Sequence, residues 1–394
     1  MARIAIVVDG ELAHVLPTFS IAKELTKRGH QICYIGLAPA REPVSKRGFS
    51  FIPVGQSVIG SESTTADTGL ALSLLFQSIL RGDFLDPVVE AMAPQLIITL
   101  SVFCLIALTL TYRYQIPVVL LRTQCTLLSR REELRNSIAS GLLQVSGKVA
   151  ELCHLLQKSG ISVSSVADLT HLALAIPEIV LLPPGFEPES DYRTGQSVYA
   201  GAALEAETIT ETFPWKAVDL SRKIIYCSLG TRPDLRRTLS LRFFRLVIEA
   251  IAEQPEFQLI LSTGRRISPH ELSPPAPNVH IADWVPQGEV LKRATLMITH
   301  GGLGSIKECI CAGVPMIVFP VMRDQFCGAE RVVRLGLGMR GQIANVSTGE
   351  LLRLIQTVTG CSAFKSRVMT MREHFLRSDL GAAIALIENA AKPA

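Results

Sequence analysis

The chain alternates short apolar runs with longer segments of helical character. In the first half, Arg3–Val8, Gln31–Gly36 and Gln95–Thr99 are rich in β-branched residues and have the length of strands. The pattern of Pro17–Arg28 predicts a helix between the first two. Further short apolar runs of the same kind are Phe49–Val54, Pro117–Leu121 and Glu178–Pro183. Continuously apolar strands separated by helices predict a parallel sheet that helices cover on both faces.

The pattern lapses over 205–222, which is polar and contains a Pro-Trp pair, and we interpret this segment as an interdomain linker. Strand-like runs then resume at Lys223–Gly230, Phe257–Ser262, Asn278–Asp283, Leu296–Gly301 and Pro315–Pro320. The sequence therefore predicts an α/β fold of two tandem Rossmann-like, doubly wound domains. The predicted N-terminal domain covers 1–204 and the C-terminal domain 223–378, and a final helix in 379–394 is expected to pack back on the first domain. Ligands of such sheets bind at the carboxyl ends of strands, which predicts a site in a cleft between the domains.

Composition excludes several classes of protein. The chain has 394 residues, of which 48% are hydrophobic and 19% charged, and its formal charge is +4. This balance is typical of globular proteins. No Lys/Arg-rich run occurs, so nucleic acid is not an expected partner.

The cysteines give a second indication. There are nine, an odd number, without a CxxC pair, and most lie in apolar segments. This pattern predicts buried free thiols in a reducing, cytoplasmic compartment, with neither a disulfide framework nor a zinc site. Because the first strand begins at Arg3, we expect no signal peptide.

Leu96–Tyr112 is free of charge for 17 residues. A membrane span needs roughly 20 apolar residues, so this segment is marginal. It also carries several hydroxyl side chains. We predict a buried strand at Leu96–Thr99 followed by a buried helix, and therefore no integral membrane protein.

Backbone-shaping residues concentrate in Ile298–Gln325, where a strand runs into His300 and three nearby glycines. A helix is predicted to begin near Leu303–Ser305 and to end at Gly313. The N-terminus of a helix offers N–H groups and a positive dipole end to an anion. With His300 and an N-cap Ser305 as further donors, the segment predicts a phosphate or diphosphate site.

The surrounding residues allow two interpretations each. Glu308 follows Ser305 by three positions, so it either closes a capping box or binds a ribose diol. Trp284 either stacks on a planar base or packs in the core. Asp324 and Gln325 suit adjacent sugar hydroxyls, and Asp324 also suits a helix N-cap.

These motifs resemble one known family. They are Trp284-x-Pro286-Gln287, His300-Gly-Gly-x-x-Ser305, Glu308, Gly313-x-Pro315, Pro320 and Asp324-Gln325. The pattern is similar to that of the family 1 UDP-sugar-dependent glycosyltransferases, which have the GT-B fold and include macrolide, carotenoid and plant secondary-metabolite enzymes. The resemblance implies an inverting hexosyltransferase of natural-product or antibiotic biosynthesis. It implies UDP-glucose as donor, with no metal or other cofactor.

The resemblance also implies roles for single residues. The donor site would consist of Thr231, Trp284, Val285, Gln287, His300, Gly302, Gly304, Ser305, Glu308, Asp324 and Gln325. Within this set the indole would stack on uracil, Gln287 would bind the nucleoside, and Glu308 would bind the ribose. His300 and Ser305 would bind the diphosphate, and the Asp324-Gln325 pair would bind the sugar. Gly304 stands where the family usually has Asn, so a side-chain contact is lost or passed to the backbone.

The candidate general base is His14. The turn His14-Val-Leu-Pro17 resembles the family's GHxxP motif, with Ala13 in place of the usual glycine. We expect the ring at a helix N-terminus, which favours a neutral, basic imidazole. Family members orient this histidine with an aspartate after the fourth strand, where this chain has Ser101. Slower chemistry, a more acidic acceptor, or another carboxylate such as Asp9 would each account for the difference.

The acceptor is expected in the N-terminal domain. No tryptophan precedes Trp215, which favours an apolar aglycone such as a polyketide, macrolide or terpenoid over an oligosaccharide. Residues 60–77 suit either a lid over the acceptor or an ordinary surface loop.

Two rival functions remain at this stage. The first is a membrane-surface glycosyltransferase with a lipid-linked acceptor, which would need a basic docking face. Candidate residues for that face are Arg113, Arg122, Arg130 and Arg131. The second is a non-catalytic protein that retained the fold.

Overall fold

The computed structural model describes residues 1–54, 85–125, 128–144, 149–183, 185–186, 197–204, 213–272, 276–322, 324–378 and 380–392. The chain divides into two compact units. The first contains 1–123, 128–205 and 379–394, and the second contains 124–127 and 206–378. The segment 60–77 lies outside the described residues.

Each unit is built on a parallel sheet, as the continuous apolar runs predict. The described strands of the first unit are β1 (Arg3–Val8), β2 (Gln31–Leu37), β3 (Ser50–Val54), β4 (Leu96–Leu100), β5 (Val118–Arg122), β6 (Glu178–Val180) and β7 (Ser197–Tyr199). Those of the second are β8 (Lys223–Ser228), β9 (Phe257–Ser262), β10 (Val279–Ala282), β11 (Ala294–Thr299), β12 (Met316–Val318) and β13 (Gly338–Arg340). The strand orders are β3-β2-β1-β4-β5-β6-β7 and β10-β9-β8-β11-β12-β13. The predicted α/β fold with two Rossmann-like domains is confirmed.

The helices of the described chain cover the sheets. In the first unit they are α1 (Leu12–Val15), α2 (Thr18–Lys27), α3 (Arg41–Ser45), α4 (Leu85–Met92), α5 (Cys104–Tyr114), α6 (Arg130–Gln144), α7 (Val149–Lys158), α8 (Val166–Leu174) and, from the end of the chain, α15 (Gly381–Ala390). In the second they are α9 (Arg237–Ala252), α10 (Gln287–Leu291), α11 (Leu303–Ala312), α12 (Gln325–Arg334), α13 (Thr348–Gly360) and α14 (Ser362–Arg377).

The two faces of the first sheet carry separate apolar clusters. Ala5 and Val7 of β1 pack on one face together with residues of α5. Their neighbours Ile4, Ile6 and Val8 point to the opposite face, which α2 and α15 cover. Because successive side chains of a strand alternate between faces, a strand covered on both sides must be apolar throughout.

The strand orders place one switch point in each unit. The direction of winding reverses between β1 and β4 in the first sheet and between β8 and β11 in the second. Chains leaving these neighbouring strands at their carboxyl ends run to opposite faces of the sheet, which leaves room for a ligand. Asp9, Ser101, Gly230 and His300 follow these four strands closely.

Two strands escaped the sequence pattern. Ser197–Tyr199 and Gly338–Arg340 are three residues each, too short for a periodicity to show. The described part of the predicted linker, 213–222, packs on the second unit. There the backbone N–H of Asp219 donates to Gln258 Oε1 at 2.7 Å, and the Arg293 guanidinium lies 4.4 Å from the Trp215 ring centroid.

The uncharged segment Leu96–Tyr112 forms the buried strand β4 and most of the buried helix α5, as predicted. Among the described residues, no helix combines the length and the apolar character that crossing a membrane requires.

The cysteines differ from expectation at one pair. Cys125 and Cys327 form a disulfide across 202 residues of sequence, and both are assigned to the second unit. The prediction that all thiols are free is therefore wrong for these two, while the other seven are free. A pairing between such distant positions leaves no spacing signal in the sequence.

A buried ion pair joins α6 to β6. Arg130 and Glu178 are each about 1% exposed, and Arg130 Nε lies 3.3 Å from Glu178 Oε2. The same guanidinium donates through Nη2 to the carbonyl of Ile176 at 2.7 Å. Removing the carboxylate charge would leave a buried cation without its counter-charge.

We therefore expect Glu178→Gln to lower the free energy of unfolding by about 3 kcal/mol. The exposed pair Lys46–Glu42 provides the control, since its side chains are 71% and 75% exposed. Glu42→Gln should cost less than about 1 kcal/mol. Urea titrations of both variants, followed by circular dichroism, measure the difference. Equal losses for the two variants would contradict the assignment of a stabilising role to the buried pair.

Candidate active site

The glycine-rich turn of the second unit builds a site for an anion. Strand β11 ends at Thr299, Gly301 adopts a φ of +88°, and α11 begins after Gly302. The first α-helical hydrogen bond runs from the N–H of Ile306 to the carbonyl of Gly302 at 3.1 Å. The N–H groups of 303–305 therefore have no carbonyl one turn earlier in the helix, which makes this turn an anion-binding helix N-terminus.

One prediction within this turn is wrong. The N-cap residue of α11 is Gly302, and Ser305 lies at the third helical position. The predicted capping box with Glu308 is excluded as well, because its acidic member would have to occupy the position of Ser305. The helix begins earlier because Gly302 itself has the extended conformation of an N-cap, with φ −60° and ψ 139°.

The ring of His300 lies in a slot that two glycines form. A Cβ on Gly230 would come within 2.5 Å of His300 Cε1, and a Cβ on Gly302 within 2.7 Å of Nε2. Gly230 also has a φ of +82°, a conformation that residues with side chains rarely adopt. Burial lowers the pKa of His300 to about 4, so the imidazole is neutral at physiological pH. It can offer one N–H to a phosphate but no positive charge.

A chain of hydrogen bonds fixes the residues predicted to bind nucleoside and ribose. The buried Tyr226 hydroxyl donates to Gln287 Oε1 at 3.0 Å, and Gln287 Nε2 donates to Glu308 Oε2 at 2.7 Å. Because the Tyr226 hydroxyl occupies the amide oxygen, the amide nitrogen is directed to the carboxylate. The structure therefore brings Gln287 and Glu308 together and orients the Glu308 carboxylate in the middle of α11.

Trp284 follows β10 and is partly exposed. The structure therefore does not support the alternative that this tryptophan packs in the core. The guanidinium carbon of Arg265 lies 4.5 Å from the centroid of its ring. Arg265 has a φ of +59°, which is strained for a residue with a side chain. The backbone N–H groups of Gly264 and Arg265 both donate to the carbonyl of Asp283, at 2.8 and 2.9 Å, and hold this turn against the tryptophan segment.

Sequence reasoning missed Arg265. The sequence did carry a signal for this residue. The pair Gly264-Arg265 follows strand β9 after one residue, and a Gly-Arg pair in that position suits a sharp turn. A guanidinium plane over one indole face leaves the opposite face for a planar ligand.

The carboxyl end of β12 leads to the predicted sugar-binding pair. Gln325 Oε1 accepts the backbone N–H groups of Val321 and Met322 at 2.9 and 3.0 Å. Its amide N–H groups are thus the part that remains for a ligand. Asp324 occupies the N-cap position of α12 in a helical conformation, and its side chain makes no capping hydrogen bond.

Three further predicted residues lie in the same turns. Thr231 is half-buried in the turn after β8, next to Gly230. The Val285 side chain is 2% exposed, so its backbone is what can face a ligand. Gly304 is exposed, and a Cβ built there would meet nothing within 4 Å. Steric constraints therefore do not require glycine at 304.

The candidate base of the first unit contacts a buried carboxylate. His14 Nδ1 lies 2.8 Å from Asp9 Oδ2, and the side chains of His14 and Asp9 are 20% and 1% exposed. The second oxygen, Asp9 Oδ1, accepts the backbone N–H of Glu11 at 3.0 Å. The ring of Phe103 lies edge-on to His14, with centroids 6.3 Å apart.

These contacts correct the expected environment of His14. The residue belongs to α1, a helix of only four residues, which is too short to supply a strong dipole. The dominant charge beside the ring is the Asp9 carboxylate. Ser101 opens the short 3-10 turn Ser101–Phe103 and is 5% exposed, so it supplies a hydroxyl where the family has its aspartate.

Three of the four arginines considered for a basic docking face are paired with carboxylates in the described part of the chain. Arg113 binds Asp86 through two hydrogen bonds, of 3.1 and 2.7 Å. Arg122 and Arg130 are buried, and they lie 3.7 and 3.3 Å from carboxylate oxygens of Glu133 and Glu178. Of the four candidate arginines, Arg131 is the exposed one. The argument for that rival from these arginines is wrong, because folding pairs three of them with carboxylates.

Comparison with known proteins places this geometry in a family. Residues 256–386 match the family model described as the C-terminal domain of erythromycin biosynthesis protein CIII-like proteins. The NDP-glycosyltransferase YjiC of Bacillus subtilis is 27% identical over 373 residues, covering 91% of this chain and 90% of that protein. The oleandomycin glycosyltransferase of Streptomyces antibioticus is 26% identical over 369 residues, covering 89% and 82%.

Solved structures agree in fold. The glycotransferase of kitacinnamycin superposes with a TM-score of 0.82 at 24% identity, covering 99% of both chains. Together these comparisons support a family 1 glycosyltransferase. Its fold is GT-B, and it is an enzyme of the kind that glycosylates macrolides and other natural products. The rival of a non-catalytic protein is thereby set aside.

A further solved structure of the same fold contains a ligand. The spinosyn rhamnosyltransferase SpnG, complexed with thymidine diphosphate, superposes with a TM-score of 0.69 at 18% identity and covers 100% of both chains. This chain therefore shares its fold with that protein.

The open space at Gly304 makes a direct test possible. We expect Gly304→Asn, which introduces the family's usual residue, to fold and to gain about 0.3 kcal/mol of helix stability. One added hydrogen bond to the donor would lower its dissociation constant about fivefold. Isothermal titration with nucleoside diphosphates measures the effect, and Gly304→Ala is the control that adds a Cβ alone. Weaker binding by the Asn variant would contradict the open geometry.

The slot around His300 predicts a pH dependence. The lowered pKa means that the folded protein binds fewer protons than the unfolded chain. His300 therefore contributes stability that is fully present above about pH 6.5 and is lost as the pH falls through 4. An NMR titration should show the His300 ring neutral down to about pH 4, with the signal assigned by its loss in His300→Asn. A midpoint near 6.5 would show that the ring is exposed to water.

Proposed function

We propose that the chain transfers a hexose from a pyrimidine nucleoside diphosphate sugar to a hydroxyl of an apolar natural-product acceptor, with inversion at the anomeric carbon. UDP-glucose is the first donor to test, and thymidine diphosphate sugars are the second. The acceptor would be a polyketide, macrolide or terpenoid. A cytoplasmic location is a further prediction, and we make no prediction about the oligomeric state.

One observation carries the proposal. In the second unit, the carboxyl ends of neighbouring strands bring together an anion-binding helix N-terminus, a neutral histidine and an oriented carboxylate. The helix N-terminus and the histidine suit a diphosphate, and the carboxylate suits a ribose. The indole of Trp284, with one face under a guanidinium, suits a pyrimidine base.

The chemical step would use the first unit. His14 Nε2 takes the proton of the acceptor hydroxyl while its oxygen bonds to the anomeric carbon. The bond from that carbon to the diphosphate oxygen breaks, and the nucleoside diphosphate leaves with both electrons. The N–H groups at the start of α11 and the neutral His300 stabilise the charge that develops on the leaving group. We infer that the reaction needs no metal or other cofactor.

The surroundings of His14 support an apolar acceptor. The neighbouring aromatic ring is Phe103, which is 8% exposed, and Val102 beside it is half-buried. An uncharged, hydrophobic alcohol therefore suits these apolar neighbours of His14.

Donor binding is tested by thermal denaturation with UDP-glucose, thymidine diphosphate glucose and ADP-glucose. A ligand at 100 times its dissociation constant should stabilise the protein by about 2.7 kcal/mol. Stabilisation by a uridine or thymidine sugar, and not by ADP-glucose, is the expected result. If neither pyrimidine sugar raises the melting temperature, the donor assignment is wrong.

The role of His14 gives a further prediction. His14→Ala should lower kcat about 100- to 10,000-fold, because the acceptor oxygen loses its proton acceptor. The donor dissociation constant should change less than about twofold, since the predicted donor residues lie in the other unit. Single-turnover assays with mass-spectrometric detection of the glycoside measure the rate, and titration calorimetry measures the binding. His154→Ala removes an exposed histidine of the same unit and serves as the matched control.

A result of equal rates for His14→Ala and His154→Ala would remove His14 from the mechanism. It would leave the donor site and the class of reaction untouched.

A further inference from the structure

His14, the base of the proposed reaction, contacts a carboxylate at a different sequence position from the one that the family resemblance implies. Family members place an aspartate after the fourth strand, and this chain has Ser101 there. The sequence contains no Asp or Glu at all between Gln95 and Arg131. A hydroxyl at 101 cannot balance the charge of an imidazolium as an anion can.

We propose that Asp9 is the positioning residue of His14, and that its carboxylate replaces the one absent at position 101. The inference rests on the proposed glycosyl transfer with His14 as base. Asp9 lies at the end of β1, five residues before His14, so both belong to one local turn. The contact between Asp9 Oδ2 and His14 Nδ1 is 2.8 Å.

The turn itself fixes the carboxylate. Asp9 Oδ1 accepts the N–H of Glu11 at 3.0 Å, an Asx-type turn that sets the side-chain rotamer. The next residue, Gly10, packs closely against Pro39, since a Cβ built on Gly10 would come within 3.0 Å of the Pro39 side chain. The backbone then continues with a hydrogen bond from the N–H of His14 to the carbonyl of Glu11 at 2.9 Å. These contacts hold Asp9 and His14 in one arrangement.

The contact selects one form of the imidazole. A carboxylate only accepts hydrogen bonds, so His14 Nδ1 must carry the hydrogen. The lone pair then resides on Nε2, the atom that removes the acceptor's proton. When Nε2 takes that proton, the ring becomes positive beside a carboxylate that is 1% exposed, where the attraction is stronger than in water. Asp9 would thus orient the base and stabilise the cation, without a bond to substrate.

A purely structural role makes a different prediction. If Asp9 only capped the turn, then Asp9→Asn would behave like the wild type, because the Asn oxygen can still accept the N–H of Glu11. The Asn amide would, however, present N–H groups to His14 Nδ1. The hydrogen would move to Nε2, and the ring could no longer accept a proton from the acceptor.

The experiment compares Asp9→Asn with Glu11→Gln, which removes a neighbouring negative charge that makes no side-chain cap to α1. For Asp9→Asn we expect kcat to fall about 1,000-fold, with the KM values of donor and acceptor within about threefold of the wild type. The ¹⁵N shifts of His14 should show hydrogen on Nδ1 in the wild type and on Nε2 in Asp9→Asn. Glu11→Gln should retain the wild-type rate and tautomer.

Three outcomes separate the possibilities. An Asp9→Asn variant with kcat within threefold of the wild type would overturn the proposal, even if His14→Ala is inactive and the proposed function stands. Full activity of His14→Ala would instead overturn the proposed base itself. If Asp9→Asn does not fold, the wild-type tautomer decides, because hydrogen on Nε2 in the wild type is incompatible with the role assigned to Asp9.

Discussion

The parallel sheet, buried on both faces, is the constraint on which the rest of this protein depends. A strand such as β1 or β9 lies between two layers of helices, so polar groups along its length would lose water without gaining partners. The polar chemistry is therefore displaced to the strand ends. In each unit the proposed site residues follow the carboxyl ends of strands at or near the point where the winding reverses.

In the second unit, glycines that follow the strand ends shape the candidate donor site. The ring of His300 fits because Gly230 and Gly302 lack side chains, and Gly302 is also the N-cap of the helix whose first N–H groups suit an anion. Enclosure also keeps the imidazole neutral. Positive potential next to the His300 ring therefore comes from backbone dipoles rather than from the imidazole itself. This arrangement needs no ordering of long, flexible side chains when a diphosphate binds.

Under the proposed mechanism, the first unit uses a nearby carboxylate, Asp9, in the role that the family resemblance gives to an aspartate after the fourth strand. An orienting aspartate after the fourth strand requires β1 and β4 to be adjacent in the sheet before the pair can form. Asp9 and His14 are joined by one turn, and the Asx hydrogen bond to Glu11 sets the carboxylate. The hydroxyl of Ser101 is thus compatible with the proposed base, because Asp9 already supplies a carboxylate to the His14 ring.

The sequence determined the sheets, their parallel character and the glycine-rich turns, because apolar runs and glycines are local patterns. The roles of Trp284, Glu308 and the Asp324-Gln325 pair came from resemblance to a known family, and they stay predictions. Tertiary structure alone decided which polar groups meet. The pairing of Gln287 with Glu308, the guanidinium of Arg265 on Trp284, and the disulfide between Cys125 and Cys327 join residues that are distant in sequence. Periodicity reports which face of an element is buried, but it carries no information about which neighbour lies opposite, and that contact is what sets charge, orientation and reactivity.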